Sequence, residues 1–258
     1  MEQLYLFGKK FKFEKMKKNV GLIGKGKWGS LIKSKLSKLA HLKFVLGKNK
    51  NFINFIKKSD LDWVFIATPN STHYQIVKKC LELKINVFCE KPLSTNLDEA
   101  KQLFRIAKKN KVKLYVSDIY SFQKRKIKKI SLNNKIKRTK NVYGKDHEFL
   151  YRFMYHDISI LYKHIHDKKL KYFTFNQNKK KKLSYLTIKF KDSTNFLFEY
   201  HLKTRLKKHY INNINFISKD DVLKKMLNSV LYKKMDIRLN NIKTLYILKF
   251  LSFLKNRI

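Results

Sequence analysis

A chain of 258 residues with 43% hydrophobic side chains can bury one large core or two modest ones, which excludes a disordered segment or a disulfide-stapled miniprotein. Its formal charge of +43 would suit nucleic acid or an anionic membrane surface, but only seven of the 61 basic residues are arginine and the lysines run the whole length, so the charge reads as solvated surface with no specific nucleic-acid partner. No run of eighteen apolar residues occurs, and Met1–Asn19 lacks the apolar stretch and cleavage site of a signal peptide, so a cytoplasmic protein outside the membrane is expected.

From Asn19 onward, short apolar runs alternate with helical periodicity, the signature of βαβ units. Val20–Ile23 reads as a buried strand and Trp28–Leu39 as the helix after it, with Leu31, Ile32, Leu36 and Leu39 on one stripe. Leu42–Leu46 and Trp63–Ala67 follow as strands, then a helix over Thr72–Leu83 and a strand at Asn86–Cys89. Cys80 and Cys89 are too few for a disulfide framework or a four-ligand metal site; they are expected to be buried thiols, with no metal bound. Asn96 and Glu99 have capping-box spacing at the head of a helix over Leu97–Lys109, which leads into the strand Lys113–Val116.

After Asp118 the rhythm changes. Phe149–Ile165 reads as a helix, and Tyr172–Phe175, Leu183–Phe190, Asn195–His201 and Ile211–Ser218 as strands, with a final helix over Asn241–Leu254. The fold class expected is α/β, a doubly wound parallel sheet over 1–118 followed by a smaller α+β domain over 119–258 with a mainly antiparallel sheet.

The segment Val20–Gly29 sets G-x-G-x-x-G directly between a strand and a helix, the context in which that spacing binds a dinucleotide and marks a Rossmann domain. Gly24 permits the tight turn, Gly26 lets the backbone approach a pyrophosphate, and Gly29 allows close helix–strand packing, while Lys27 and Trp28 complete the turn that faces the cofactor. Four of the seven glycines fall within 21–29. The stretch Leu46–Lys50, where an NAD site carries an acid for the ribose hydroxyls, has none; Lys48 or Lys50 would instead accept a 2′-phosphate, so NADP is favoured over NAD.

Two further motifs, Ala67-Thr-Pro-Asn-Ser-Thr-His73 and Cys89-Glu-Lys-Pro-Leu93, make the chain resemble the Gfo/Idh/MocA oxidoreductases, the glucose–fructose oxidoreductase and inositol dehydrogenase type. The resemblance is specific over 19–118 and thinner beyond. It implies an NAD(P)-dependent enzyme moving a hydride between the nicotinamide and a hydroxyl or keto group of a sugar-like small molecule. Lys91 and His156 would be catalytic and touch substrate, Thr68, Pro69 and Asn70 would line the nicotinamide side, and His73 and Glu90 would serve the cofactor cleft. The family also implies pairing of copies through the second-domain sheet, hence a homo-oligomer. Tyr155-His-Asp-Ile-Ser159 matches the latter part of the family's Asp-x-x-x-His helix, but Arg152 stands where the family has its Asp. A cation there suits an anionic or nucleotide-linked substrate; alternatively the chain is a degenerate member that binds a nucleotide or sugar without turnover.

Overall fold

The computed structural model describes residues 16–47, 51–139, 150–178, 180–202, 204, 206–218 and 220–258, together with the backbone of a short antiparallel pair, β1 (Leu4–Leu6) and β2 (Lys9–Phe11). The first half runs β3 (Asn19–Ile23), α1 (Lys27–Leu39), β4 (His41–Leu46), α2 (Phe52–Lys57), β5 (Trp63–Ile66), α3 (Asn70–Glu82), β6 (Asn86–Cys89), α4 (Leu97–Lys109) and β7 (Leu114–Val116). Its five strands form an all-parallel sheet in the order β4-β3-β5-β6-β7, the doubly wound arrangement.

Both faces of the sheet's centre are covered, which is why β5 and β7 are apolar and buried at every position, while the edge strand β4 keeps His41 and Lys43 exposed. Val20, Leu22, Phe65, Phe88 and Tyr115 pack on Ile32 and Leu36 of α1. Phe65, Phe88 and Tyr115 stand in register on neighbouring strands and form a row of rings 5.1 and 6.0 Å apart, the cross-strand contact that fixes register in such a sheet. Val64, Ile66, Val87, Cys89 and Val116 meet α3 and α4 on the other side. Asn96 caps α4 as its spacing predicts, its side chain accepting from the Asp98 and Glu99 N–H groups.

The second half runs through a 3₁₀ turn (Ile119–Phe122), β8 (Asn133–Thr139), a π turn (Leu150–Met154), α5 (Tyr155–Ile165), β9 (Leu170–Asn178), β10 (Leu183–Phe190), β11 (Asn195–His201), β12 (Lys208–Ile211), β13 (Ile214–Asn215), α6 (Val222–Tyr232) and α7 (Ile237–Lys255). The sheet order is β13-β12-β8-β11-β10-β9, antiparallel except where β8 lies parallel to β11. Ile136, Leu186, Ile188, Phe196 and Phe198 fill a core with Ile158 and Leu161 of α5 and Leu248 and Leu251 of α7.

Four features depart from the sequence expectation. No element is expected over β8 from its sequence, since Ile136 is its one apolar residue among Asn, Lys, Arg and Thr, yet it lies inside the second sheet between β12 and β11. The run expected as one strand at Ile211–Ser218 is the turn and return of a tight hairpin, with Asn212 at φ 43° between β12 and β13. The helix expected over Phe149–Ile165 begins as a π turn, Phe149 itself lying outside the described residues. The tail holds two helices rather than one. α6 buries Met226, Leu227 and Val230 against the α1 face of the parallel sheet, and α7 sends Asn240 to pair both backbone groups of Val116, 2.9 and 3.0 Å, closing the free edge of β7.

Because α6 fills the parallel sheet's face, the two halves share one cooperative core. Met226→Ala, at a fully buried position, is expected to cost about 2–4 kcal/mol in a single urea transition. Two transitions, with only the later one moved, would contradict this packing.

Candidate active site

The C-terminal ends of β3, β5 and β6 deliver the three motifs to one edge of the parallel sheet, where open α/β folds bind their ligands. Gly24 has φ 127°, and a Cβ there would stand 2.3 Å from the Ala67 carbonyl oxygen, so the turn tolerates no side chain. A Cβ on Gly29 would lie 2.1 Å from the Gly24 oxygen. Gly26 differs: a Cβ there meets nothing within 4 Å of protein. That open space would permit close approach of a pyrophosphate to the α1 N-terminus. The residues present therefore fit a dinucleotide.

Two hollows flank this turn. One, of about 490 Å³, is lined by Gly24, Lys25, Gly29, Ser30, Lys33 and Val45. The aliphatic stem of Lys25 crosses Gly47 at the end of β4, 3.5 Å from where a Cβ would be. Lys48 and Lys50 lie outside the described residues. The other is a cleft of about 1300 Å³ between the two sheets, whose first wall carries Trp28, Thr68, Pro69, Asn70, Glu90 and Lys91, and whose second carries Arg138, Arg152, His156 and His209. Lys27 is exposed on the first turn of α1 and does not line the cleft.

Lys91 spans the cleft. Its Nζ donates to the carbonyls of Tyr151 and Arg152, 3.2 and 3.1 Å, and lies 5.9 Å from the Tyr155 ring centre. Glu90, beside it, is 6% exposed; burial pushes its carboxyl up, against the pull of hydrogen bonds from Trp28 and Ser117 and the Lys91 charge, and its Oε1 has no partner. His73 lies behind the wall rather than on it. At 1% exposure its Nδ1 sits 2.7 Å from the Pro92 oxygen and its Nε2 2.9 Å from the Thr68 oxygen, so it braces two cofactor-side motifs against each other.

Arg152 and His156 both line the cleft, but the α-helical turn that would stack them is replaced by the π turn, which spaces its residues more widely before α5 begins. His156 is half-buried with its ring edge-on to Tyr120 at 5.0 Å. Beneath it is a charged network that the motifs do not announce. Asp157, fully buried, accepts from Arg138 Nη1 (3.1 Å) and the Tyr200 hydroxyl (2.9 Å), and His209 Nε2 lies 2.7 Å from the same carboxylate. Burial alone would raise Asp157; the Arg138 charge, with hydrogen bonds from His209 and Tyr200, outweighs it and holds the carboxyl below its ordinary value. Burial lowers His209 against the pull of Asp157. One signal for Arg138 was available: where lysine fills nearly every basic position, an arginine marks a need for the planar fork.

Residues 31–118 match the model of the Gfo/Idh/MocA oxidoreductases, described as an NAD-binding Rossmann fold. The sequence likeness to that family therefore lies in the first, parallel-sheet half of the chain. Among its curated relatives, an oxidoreductase of Bacillus subtilis is 28% identical over 137 residues, 45% of this chain and 40% of its own length. A myo-inositol 2-dehydrogenase of Thermotoga maritima is 29% identical over 115 residues, 37% of this chain and 34% of its own. The matched stretch thus spans 40% or less of these relatives. Among solved structures, a UDP-N-acetylglucosamine 3-dehydrogenase from Acidithiobacillus ferrooxidans superposes with a TM-score of 0.70 at 13% identity, covering 91% of this chain and 95% of that one. An enzyme of gentamicin A biosynthesis in complex with NAD superposes with a TM-score of 0.71 at 11% identity over 93% of each chain. At such identities the likeness is one of fold alone, and it takes in the second half of the chain as well as the first.

Two measurements test this site. Gly26→Ala should leave the unfolding temperature unchanged while weakening dinucleotide binding at least about tenfold, because the added methyl occupies only the ligand's space, whereas Gly24→Ala should destabilise the free protein itself. Burial also lowers His73, so both it and His209 resist protonation when folded; the unfolded chain binds the extra protons below about pH 6.5, and stability should fall as pH drops through that value. Asp157, held low, adds a further loss below about pH 4. A denaturant midpoint that does not change between pH 7.5 and 5.5 would contradict the first of these.

Proposed function

We propose that this chain is an NAD(P)-dependent oxidoreductase that moves a hydride between the nicotinamide cofactor and a hydroxyl or keto group of a sugar derivative. The observation that carries the reading is the cleft, which joins Lys91 from the parallel sheet and His156 from α5 beside the glycine turn and Thr68–Asn70. When bound, the cofactor supplies the hydride acceptor or donor. The Gly24–Gly29 turn cradles the pyrophosphate, and Thr68, Pro69 and Asn70 line its nicotinamide side. The Lys91 ammonium, already held by two carbonyls, polarises the substrate oxygen, while the His156 imidazole takes or returns the hydroxyl proton. Trp28 and the second-domain wall close over the reacting atoms.

The substrate is anionic or nucleotide-linked. Arg152, Lys207 and Lys208 lie on the cleft wall together with the buried Arg138, a concentration of positive charge suited to a carboxylate or phosphate. NADP is the preferred cofactor. Lys25 and Lys33 line the hollow beside Gly47, where a carboxylate would otherwise meet the ribose, and can receive a 2′-phosphate. The exposed Tyr172 and Tyr185 on the outer face of β9 and β10 offer a surface for pairing two copies.

Binding of NADPH and NADH to the purified protein, followed by fluorescence, should favour NADPH, and Lys25→Glu should weaken NADPH alone by about tenfold or more, the 1.4 kcal/mol of one charge-assisted contact. Lys91→Ala should retain cofactor binding and lose turnover on a panel of sugar acids and nucleotide sugars. Arg152 favours a second reading, a protein that binds its ligands without turnover. Tight NADPH binding with no oxidation or reduction of any panel member would establish it, and absence of binding by either cofactor below millimolar would remove both readings.

A further inference from the structure

A histidine that exchanges protons with a substrate needs its ring held in one orientation, usually by a neighbouring group that is itself fixed. The His156 ring meets Tyr120 edge-on, centroids 5.0 Å apart and planes at 61°. Tyr120 belongs to the 3₁₀ turn at the junction of the two halves, and its far surroundings are rigid. Its hydroxyl accepts from Arg138 Nη2 at 2.9 Å, the guanidinium carbon lies 5.7 Å from its ring centre, and its ring meets His209 edge-on at 5.4 Å and 88°. Arg138 is 8% exposed and is fastened by Nη1 to both the Phe153 carbonyl and Asp157 Oδ1, each 3.1 Å.

Asp157 follows His156 directly in α5, so these contacts close into a ring: His156 to Tyr120, Tyr120 to Arg138, Arg138 to Asp157, and Asp157 back to His156 through the chain. A rotation of the His156 ring must displace Tyr120, and Tyr120 cannot move without taking an acceptor from a buried guanidinium, which is costly. We propose that Tyr120 is the positioning residue for His156, transmitting to it the fixed geometry of the buried Arg138–Asp157 pair. The role rests on His156 as the proton-exchanging group of the proposed reaction. Tyr120 does not touch the reacting atoms; it sets the direction of the imidazole and, with the Tyr155 ring edge-on to it at 6.2 Å, its electrostatic surroundings. Arg138, Asp157 and His209 act on the ring through it, while the charged Lys91 and Arg152 line the same cleft.

The test compares Tyr120→Phe, which keeps the ring and removes the hydroxyl, with Tyr120→Leu, which removes both, and with His156→Ala, all in the full chain. Tyr120→Phe should bind NADPH as the parent does, keep KM within about twofold, and lower kcat by about 10- to 100-fold, the scale on which small misplacements act. It should also shift the bell-shaped pH dependence of kcat, and Tyr120→Phe combined with His156→Ala should be no slower than His156→Ala alone, because both remove one function. Independently of turnover, the His156 imidazole signals, assigned by their loss in His156→Ala, should show a ring-current shift in the parent protein and titrate at a different pH in Tyr120→Phe. An unaltered His156 titration in Tyr120→Phe overturns the proposal, as do additive losses in the double variant. If neither Tyr120 variant folds, the ring-current shift decides: its absence in the parent protein overturns the assignment. Failure of the parent to turn over any sugar would remove the proposed reaction while leaving the His156 titration to judge the positioning role.

Discussion

The Arg138–Asp157 ion pair is the constraint around which the second half of the molecule is arranged. Two opposite charges taken out of water are stable only when their remaining donors and acceptors are satisfied. Here that demand recruits a carbonyl from the π turn, a hydroxyl from β11, a hydroxyl from the domain junction and an imidazole from β12. Four separate elements are therefore referred to one ion pair, the first and third through Arg138 and the other two through Asp157. Because Asp157 is the residue after His156, the same demand fixes the segment of α5 that turns a histidine toward the cleft.

Across that cleft, the parallel sheet provides an equally rigid counterpart. The β3–α1 turn is locked by two approaches that no side chain would survive, at Gly24 and Gly29, and leaves open space only at Gly26. His73 ties the Thr68 and Pro92 carbonyls together from behind. Lys91 projects from this wall and already bonds to two carbonyls of the opposite one, so the cleft is bridged by a side chain whose charge the proposed chemistry uses. Asp118 reinforces the junction, accepting from Ser159 of α5 and Lys243 of α7 at 2.6 and 2.7 Å. The return of α6 and α7 to the parallel sheet makes the relative placement of the walls a matter of core packing rather than of a linker.

The large positive charge takes on a more specific meaning in this setting. Most of it is dispersed on exposed lysines, where solvation and salt screening leave little local effect. Two of the seven arginines, Arg138 and Arg152, line the cleft, where the dielectric is lower and a planar guanidinium is worth more than an ammonium.

By itself the sequence determined the five strands of the parallel sheet, from Val20–Ile23 to Lys113–Val116, because strands buried on both faces carry short apolar runs between amphipathic helices. It also determined which cofactor class the first half suits, since the Gly24, Thr68-Pro69 and Glu90-Lys91-Pro92 motifs are contiguous and each is read locally. Only the tertiary structure decided the second wall. β8 was illegible because its sheet neighbours lie sixty or more residues away, so a strand carrying Asn, Lys and Arg pays for its polar residues with partners no window of sequence contains. Tyr120, Arg138 and His209 stand on three different elements, and what makes them part of the site, a shared buried carboxylate and a shared ring, exists only once the chain has folded.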